Sequence, residues 1–204
     1  MNKRFLFIWV NVAVLALSAC ASPATIEAPQ PSSNQVETGI TAVLPSSTPQ
    51  PDCSGETEGV QPLSNVEMGF CLLYPEGYTE VFSEPAQICL IPGEPGEPNM
   101  ACHSANAFIN VEPANGRTVS EAADQIVAES SLTEKFERTS LTVDGEEAIM
   151  LDGLGGVDIN RKVVIIHGER LYTLMFTPWD NTREGWAGVE NLHDTIINSF
   201  TLLP

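Results

Sequence analysis

Cysteines are the residues of this chain whose type and spacing point most directly to chemistry. Four of the five, Cys53, Cys71, Cys89 and Cys102, fall in the part of the sequence with a globular composition. An even number of cysteines in an exported chain indicates two disulfides, although four cysteines allow three pairings. We expect Cys53–Cys71 and Cys89–Cys102, and closure of the second loop contributes about 3 kcal/mol in the chain-entropy model.

A zinc site is the alternative use of these four cysteines. The sequence has no CxxC pair, and the spacings are long and irregular, unlike those of structural zinc sites. A nucleophilic cysteine needs a free thiolate, which two disulfides would remove. The GxSxG, HExxH, P-loop and GxGxxG motifs do not occur in the sequence. We therefore expect no catalytic residue, no metal, no cofactor and no enzyme.

Histidines and tryptophans are the other candidates for a site. His167 is predicted to lie at a hairpin turn, His193 on the flank of the last helix, and His103 on an exposed strand. Trp179 and Trp186 flank the start of the last helix and are predicted to be packing residues. An exposed platform for a sugar or peptide is the alternative for the two tryptophans.

The fifth cysteine, Cys20, follows an N-terminal segment of distinct composition. Lys3 and Arg4 precede 13 mostly apolar residues, Phe5–Leu17, whereas a helix needs about 20 to span a bilayer. Such a segment is typical of a signal peptide. Its end, Leu17-Ser18-Ala19-Cys20, resembles the bacterial lipobox. The resemblance implies a lipoprotein signal peptide at 1–19, cleavage before Cys20 and diacylation of its thiol. The alternative is an ordinary secretory signal with a chance cysteine.

A lipid on Cys20 would hold the chain on the extracytoplasmic face of a cell membrane. Two or three acyl chains anchor a protein stably, at about 0.8 kcal/mol per buried CH₂. Residues 21–52 contain six prolines, many Ser, Thr and Gln, and no aromatic residue. Such a segment cannot bury enough surface to offset its ordering entropy. We therefore predict that 20–52 is a lipidated, disordered tether, about 30 Å long as a coil.

The charge balance excludes one class of partner. The chain has 27 acidic and 9 basic residues, a formal charge of -18, which becomes -20 without Lys3 and Arg4. Such a surface repels phosphates, and we expect no nucleic-acid partner. The acidity favours solubility, with cation binding as the alternative. A calcium site needs several oxygen ligands, but EF-hand spacing is absent among the candidate carboxylates, which are Asp152, Asp158, Glu146 and Glu147.

Residues 53–204 are predicted to form one domain built around an antiparallel sheet. An Asp144-Gly145 pair predicts a tight hairpin turn. Both faces are apolar in 163–166 and 171–176, so these strands should be central and covered on both sides. The predicted strands are 70–74, 88–91, 107–111, 136–143, 146–151, 157–167, 170–177 and 199–203.

Helices are predicted at two places in the same domain. Thr118 and Glu121 form a capping box that predicts a helix to about residue 131. Apolar residues at spacings of three and four predict a second helix from 186 onward. A weaker capping box, Asn181 with Glu184, precedes it. Helices packed on an antiparallel sheet make an α+β fold.

Three short segments resemble the PsbP-like superfamily of exported domains. They are Gly69-Phe70 to Gly77-Tyr78, His167 to Phe176, and Ile197 to Phe200. The resemblance covers about 66–203 and implies a PsbP-like α/β/α sandwich. Plant members are extrinsic photosystem II subunits, but no residue here matches that role. Many bacterial relatives are lipoproteins of unassigned activity.

The sequence predicts a membrane-anchored lipoprotein that carries a non-enzymatic binding or accessory module at the cell envelope. Its expected partners are the membrane, through the lipid, and an envelope protein. The alternative function is binding of a small ligand or a divalent cation.

Overall fold

The computed structural model describes residues 58–83, 86–93, 96, 101–131 and 135–204, all in one compact unit. The predicted signal peptide, the tether, Cys20 and Cys53 lie outside the described residues. The elements are β1 (Val60–Asn65), β2 (Phe70–Pro75), β3 (Tyr78–Ser83), β4 (Gln87–Pro92), a 3-10 turn (Cys102–Ser104), β5 (Ala107–Pro113), α1 (Val119–Glu129), β6 (Glu137–Val143), β7 (Glu146–Leu154), β8 (Asn160–His167), β9 (Arg170–Phe176), α2 (Trp186–Ser199) and β10 (Thr201–Leu202).

Strands form two antiparallel sheets. The large sheet has the order β3-β4-β5-β9-β8-β7-β6, and the small one has the order β1-β2-β10. Each pair of neighbouring strands is antiparallel. Together with α1 and α2, these sheets confirm the α+β class that the sequence predicts. Strands β1 and β3 were not predicted from the sequence, and the predicted start of β8 is three residues too early.

Both faces of the large sheet are covered. On one face, α2 and the small sheet close the main core. On the other face, α1 covers β7 and β8 in a second core. Consecutive residues Val163, Val164 and Ile165 of β8 are therefore all fully buried, which confirms the prediction of a central strand.

Local sequence signals fix two of the connections. Asp144 and Gly145 both adopt positive φ, 48° and 84°, as the two-residue turn between antiparallel strands requires. At the start of α1, the Glu121 amide donates to Thr118 Oγ1 at 3.2 Å. The Thr118 amide in turn donates to the Glu121 carboxylate at 2.8 Å. The predicted capping box is therefore confirmed, and α1 ends at Glu129, two residues before the expected boundary.

The predicted capping box before α2 is wrong. The helix begins at Trp186, and Gly185 is its N-cap, with φ of 86° and no side-chain cap. The nearby side-chain hydrogen bonds belong to Asp180, which accepts from the amide and the hydroxyl of Thr182. A glycine can adopt this left-handed conformation without steric cost. Since glycine has no side chain, the helix starts without a polar cap.

Aromatic residues from the three short segments 69–78, 167–176 and 197–200 meet at one place in the main core. The rings of Phe70 and Phe200 stack with centroids 5.3 Å apart, and Tyr172 packs edge-on against Phe200 at 5.9 Å. The Tyr172 hydroxyl donates to the Gly69 carbonyl at 3.1 Å. This cluster joins the small sheet to the large sheet.

Candidate functional site

The predicted disulfide between Cys89 and Cys102 is present, with Cα atoms 5.5 Å apart. The two cysteines are not cross-strand neighbours, however, because the residue opposite Cys89 on β5 is Phe108. Cys102 instead opens the 3-10 turn before β5, and this turn carries its sulfur over the sheet. Cys71 is also disulfide-bonded, and Cys53, its expected partner, lies outside the described residues.

A row of side chains crosses the large sheet from this disulfide towards α1. Cys89 pairs with Phe108, Phe108 with Met175, Met175 with Lys162, and Lys162 with Leu151. Residues directly opposite one another in antiparallel strands share a face. The disulfide and its turn cover the Cys89 end, while α1 covers the Leu151 end.

The middle of this row forms the floor of a cleft of about 790 Å³, which we call the Lys162 cleft. Phe108, Met175 and Lys162 lie on the floor, each only partly buried. A volume of this size is within the usual range for small-molecule sites, about 300–1,000 Å³. The walls come from the end of α1, the Cys102 turn and the β7–β8 loop, and include Ile126, Glu129, Ser130, His103, Ser104, Val157 and Asp158.

Asn160, the first residue of β8, lines the cleft, and its side-chain oxygen is buried. Its side chain is only 6% exposed, and its Oδ1 has no hydrogen-bond partner among the described residues. The Nδ2 group donates to the Asp158 carbonyl at a long 3.4 Å. A buried polar atom without a partner costs about 1–3 kcal/mol, so a donor supplied from the cleft would be stabilising.

Lys162 adds a second unsatisfied group to the same cleft. Burial lowers the pKa of its ammonium group, and the nearby Glu129 carboxylate acts in the opposite direction. No hydrogen bond or ion pair of the ammonium group occurs in the described part of the chain. Four other cations each pair with a carboxylate, namely Arg117, Arg138, Arg161 and Arg183.

The residues considered for a calcium site are not brought together. Asp152 pairs with Arg161, Asp158 with Arg183 at 2.7 Å, and Glu146 with His167 Nδ1 at 2.8 Å. Among the residues that the structure describes, no group of three or more His, Cys, Asp or Glu side chains is placed to hold a metal ion. His103 is exposed, as predicted, but it lies in the Cys102 turn and not on the predicted strand.

His193 is not on the helix flank but buried beneath α2, only 7% exposed. Its ring packs against Phe176 at 4.9 Å and Trp179 at 5.1 Å. Nδ1 lies 2.9 Å from the Asp194 carboxylate, and Nε2 lies 3.4 Å from Arg161 Nη1. Burial lowers the pKa of His193, although Asp194 opposes the shift. The cluster favours a neutral imidazole that accepts from Arg161.

The two tryptophans are packing residues, as the sequence predicts. Trp179 and Trp186 are half-buried and pack edge-to-face, with ring centroids 4.4 Å apart. The Arg161 guanidinium lies over the Trp179 ring, 3.7 Å from its centroid. Trp179 therefore contacts Trp186, His193 and Arg161, which leaves less of its ring for an external ligand.

A larger groove of about 970 Å³ lies at the opposite end of the large sheet, and we call it the Phe82 groove. Its two arginines are already engaged, because Arg117 pairs with Glu112 at 2.9 Å and Arg170 donates to the Glu67 carbonyl at 3.3 Å. We favour the smaller Lys162 cleft as the candidate site, because only there do a cation and a buried acceptor both lack partners among the described residues.

No protein-family model and no curated protein matches the chain. Among solved structures, it is similar to the cyanobacterial PsbP protein (CyanoP) from Synechocystis sp. PCC 6803, determined in solution. The sequence identity is 16% and the TM-score is 0.43, and the match covers 74% of this chain and 96% of that chain. Neither helix in the described ranges is sufficiently long and apolar to cross a membrane.

Proposed function

We propose that this chain is a lipid-anchored, non-enzymatic binding protein of the cell envelope. Its PsbP-like domain takes a small ligand in the Lys162 cleft. The proposed anchor rests on the basic start, the short apolar run and the lipobox ending at Cys20. The proposed family rests on the three sequence segments that resemble it, whose aromatic residues pack in one core.

The observation that carries the binding proposal is the pair of unsatisfied groups in one cleft. Among the described residues, Asn160 offers a buried acceptor without a donor, and Lys162 offers a half-buried cation that makes no hydrogen bond or ion pair. Glu129 lines the same cleft and acts on the Lys162 charge, but it forms no ion pair with the ammonium group in the described part of the chain. A ligand donor that reached Asn160 Oδ1 would recover about 1–3 kcal/mol, and a ligand acceptor would add an ion pair to Lys162.

Binding rather than turnover is favoured by the arrangement of reactive side chains. General-base activation of a nucleophile needs a base within hydrogen-bond reach of it. Among the described residues, the only histidine that lines the cleft is His103, and it makes no hydrogen bond to a serine or cysteine. Cys102, which precedes His103 in the turn, is held in the disulfide.

Cell fractionation of a Cys20→Ser variant tests the anchor. We expect wild-type protein in the membrane fraction and in extracts labelled with a fatty acid, and we expect the variant to lose both. An Ala21→Ser variant changes the neighbouring residue but leaves the thiol, so it should behave as wild type. A Cys20→Ser protein that stayed just as firmly with membranes would overturn the proposed anchoring.

Nuclear magnetic resonance of the mature chain tests the cleft. A library of small neutral, cationic, anionic and zwitterionic compounds is added, and backbone amide shifts are followed. We expect the compounds that bind to perturb amides around Lys162, Asn160 and Phe108 more than amides around Phe82. If no compound perturbs the first group, the proposed ligand-binding function is wrong.

An envelope protein partner is the second candidate function, and two exposed apolar side chains favour it. Phe82 is 60% exposed and lines the Phe82 groove, and Val66, 66% exposed, lies in the β1–β2 turn beside the same groove. Photocrosslinking from position 66 in intact cells should give one defined adduct that a Phe82→Ser change weakens. Position 139 on exposed strand β6 is the control. Equal adducts from both positions would exclude a specific partner here.

A further inference from the structure

We infer that the ligand of the Lys162 cleft is a small zwitterion with an apolar side chain, of the amino-acid type. The inference rests on the proposed binding function and adds the chemical class of the ligand. Its carboxylate would pair with the Lys162 ammonium, its ammonium would donate to Asn160 Oδ1, and its side chain would lie on Phe108 and Met175.

The positions of Asn160 and Lys162 suit a compact ligand. They are two residues apart on β8, and alternate residues of a strand point to the same face at roughly 7 Å along it. One ligand can therefore reach both groups if its own donor and acceptor are a few bonds apart. An α-amino acid has its ammonium and carboxylate on one carbon, which meets this requirement.

The polar groups of the cleft require one donor and one acceptor. Asn160 Oδ1 can only accept, and it is buried with no donor from the described residues. The Lys162 ammonium can only donate, and it has no acceptor within the described residues. A ligand with a single kind of polar group leaves one of the two unsatisfied, which costs binding free energy.

The charge of the protein selects against a simple anion. With a formal charge of -18, the protein repels anions from its surface. A zwitterion has no net charge and avoids this repulsion. Glu129, which lines the cleft, also favours a ligand that carries a cationic group beside its carboxylate.

The apolar part of the floor sets the side-chain preference. Phe108 and Met175 lie side by side across β5 and β9, and Ile126 of α1 lines the wall. All three are only partly buried, so a hydrocarbon side chain that covered them would remove apolar surface from water. Polar amino acids would gain nothing from this part of the cleft.

Thermal-shift measurements with the common L-amino acids, one at a time, test the inference on the mature chain. We expect an apolar member such as L-leucine to raise the Tm most. The matched series is L-leucine, 4-methylpentanoate, which lacks the amine, and 3-methylbutylamine, which lacks the carboxylate. Calorimetry should show each analogue at least about tenfold weaker than leucine, as expected for loss of a charged hydrogen bond.

A Lys162→Met variant gives the decisive comparison, because methionine keeps the apolar stem and removes the charge. Leucine affinity should fall at least about tenfold in this variant, and its advantage over 3-methylbutylamine should vanish. Lys135→Met, which removes an exposed lysine elsewhere, should bind leucine as wild type does. Cooperative thermal unfolding of both variants without ligand shows that both are folded.

Three outcomes would overturn the inference. Binding of 2-hydroxy-4-methylpentanoate as tightly as leucine would assign the cleft to hydroxy acids instead. Neutral or cationic compounds that bind the cleft while every amino acid fails would refute the zwitterion class but leave the proposed binding function intact. If no organic probe perturbs the cleft, water satisfies Asn160 and Lys162, and the class and the binding function both fall.

Discussion

Removing the disulfide between Cys89 and Cys102 should lower stability by an amount that follows from the chain length it closes. The two residues are 13 positions apart, and a loop of that size contributes about 3 kcal/mol through the entropy of the unfolded chain. For a domain of this size, 1 kcal/mol corresponds to about 2–4 °C in Tm. A Cys89→Ala/Cys102→Ala variant should therefore melt about 6–12 °C below wild type.

A second contribution comes from packing, because Cys89 is fully buried with Ile91 and Ala105. Replacing its sulfur leaves a small cavity, which adds to the loss. A single Cys102→Ala variant keeps the fully buried Cys89 sulfur in place and removes the covalent link together with the partly buried Cys102 sulfur. It should show most of the decrease if loop closure dominates, and clearly less than the double variant if packing does.

The assay is thermal unfolding followed by circular dichroism at one pH and one protein concentration. Variants are preferable to a reducing agent, because Cys71 is also disulfide-bonded and would be reduced as well. Ser104→Ala, an exposed change in the same turn, should alter the free energy of unfolding by no more than about 0.5 kcal/mol. A double variant that melts within about 2 °C of wild type would refute the loop-closure reasoning.

Three further changes test other parts of the fold. Burial lowers the pKa of His193, so the neutral imidazole contributes stability above the ordinary histidine pKa of about 6.5, and this contribution is lost as the pH falls through the lowered pKa. The wild-type Tm should therefore drop more steeply between pH 7 and 5 than the Tm of His193→Gln. Parallel curves of Tm against pH would contradict this. Gly69→Ala places a Cβ 1.8 Å from Arg170 Nη1 at a residue with a φ of +74°. This variant should lower the free energy of unfolding in urea by about 1–3 kcal/mol. A decrease below about 0.5 kcal/mol would show that the turn adapts to the new side chain. Thr118→Ala removes the cap of α1 and should cost about 0.5–2 kcal/mol by the same method; no loss would mean that Glu121 alone secures the helix start.

Local signals in the sequence predicted much of the fold. Thr118 and Glu121 define a helix start because their hydrogen bonds are made within four residues. Asp144 and Gly145 define a hairpin because few residue pairs tolerate two positive φ values. The apolar run from Val163 marks a central strand because both of its faces had to be buried. Each of these signals acts over a few neighbouring residues.

Features that depend on distant residues could not be predicted in the same way. His193 looks like a flank residue in the helix pattern, but Phe176 and Trp179 from another part of the chain bury it. The Lys162 cleft exists because five strand residues align across the sheet and two separate segments cover only the ends of the row. The pairing of Cys89 with Cys102 was predicted correctly, but the 3-10 turn that carries Cys102 to Cys89 was not.

The position of the cleft in the sheet also determines which of its parts can move. Its floor belongs to β5, β9 and β8, which are interior strands with hydrogen-bonded neighbours on both sides. Amide protons there should exchange with solvent only when the whole domain opens, whereas a helix end and a short turn open by local fluctuations at much lower free energy. Ligand binding should therefore slow the hydrogen exchange of amides around Glu129 and Ser104 at the edge of the cleft. The exchange rates of amides in β5, β9 and β8 should not change.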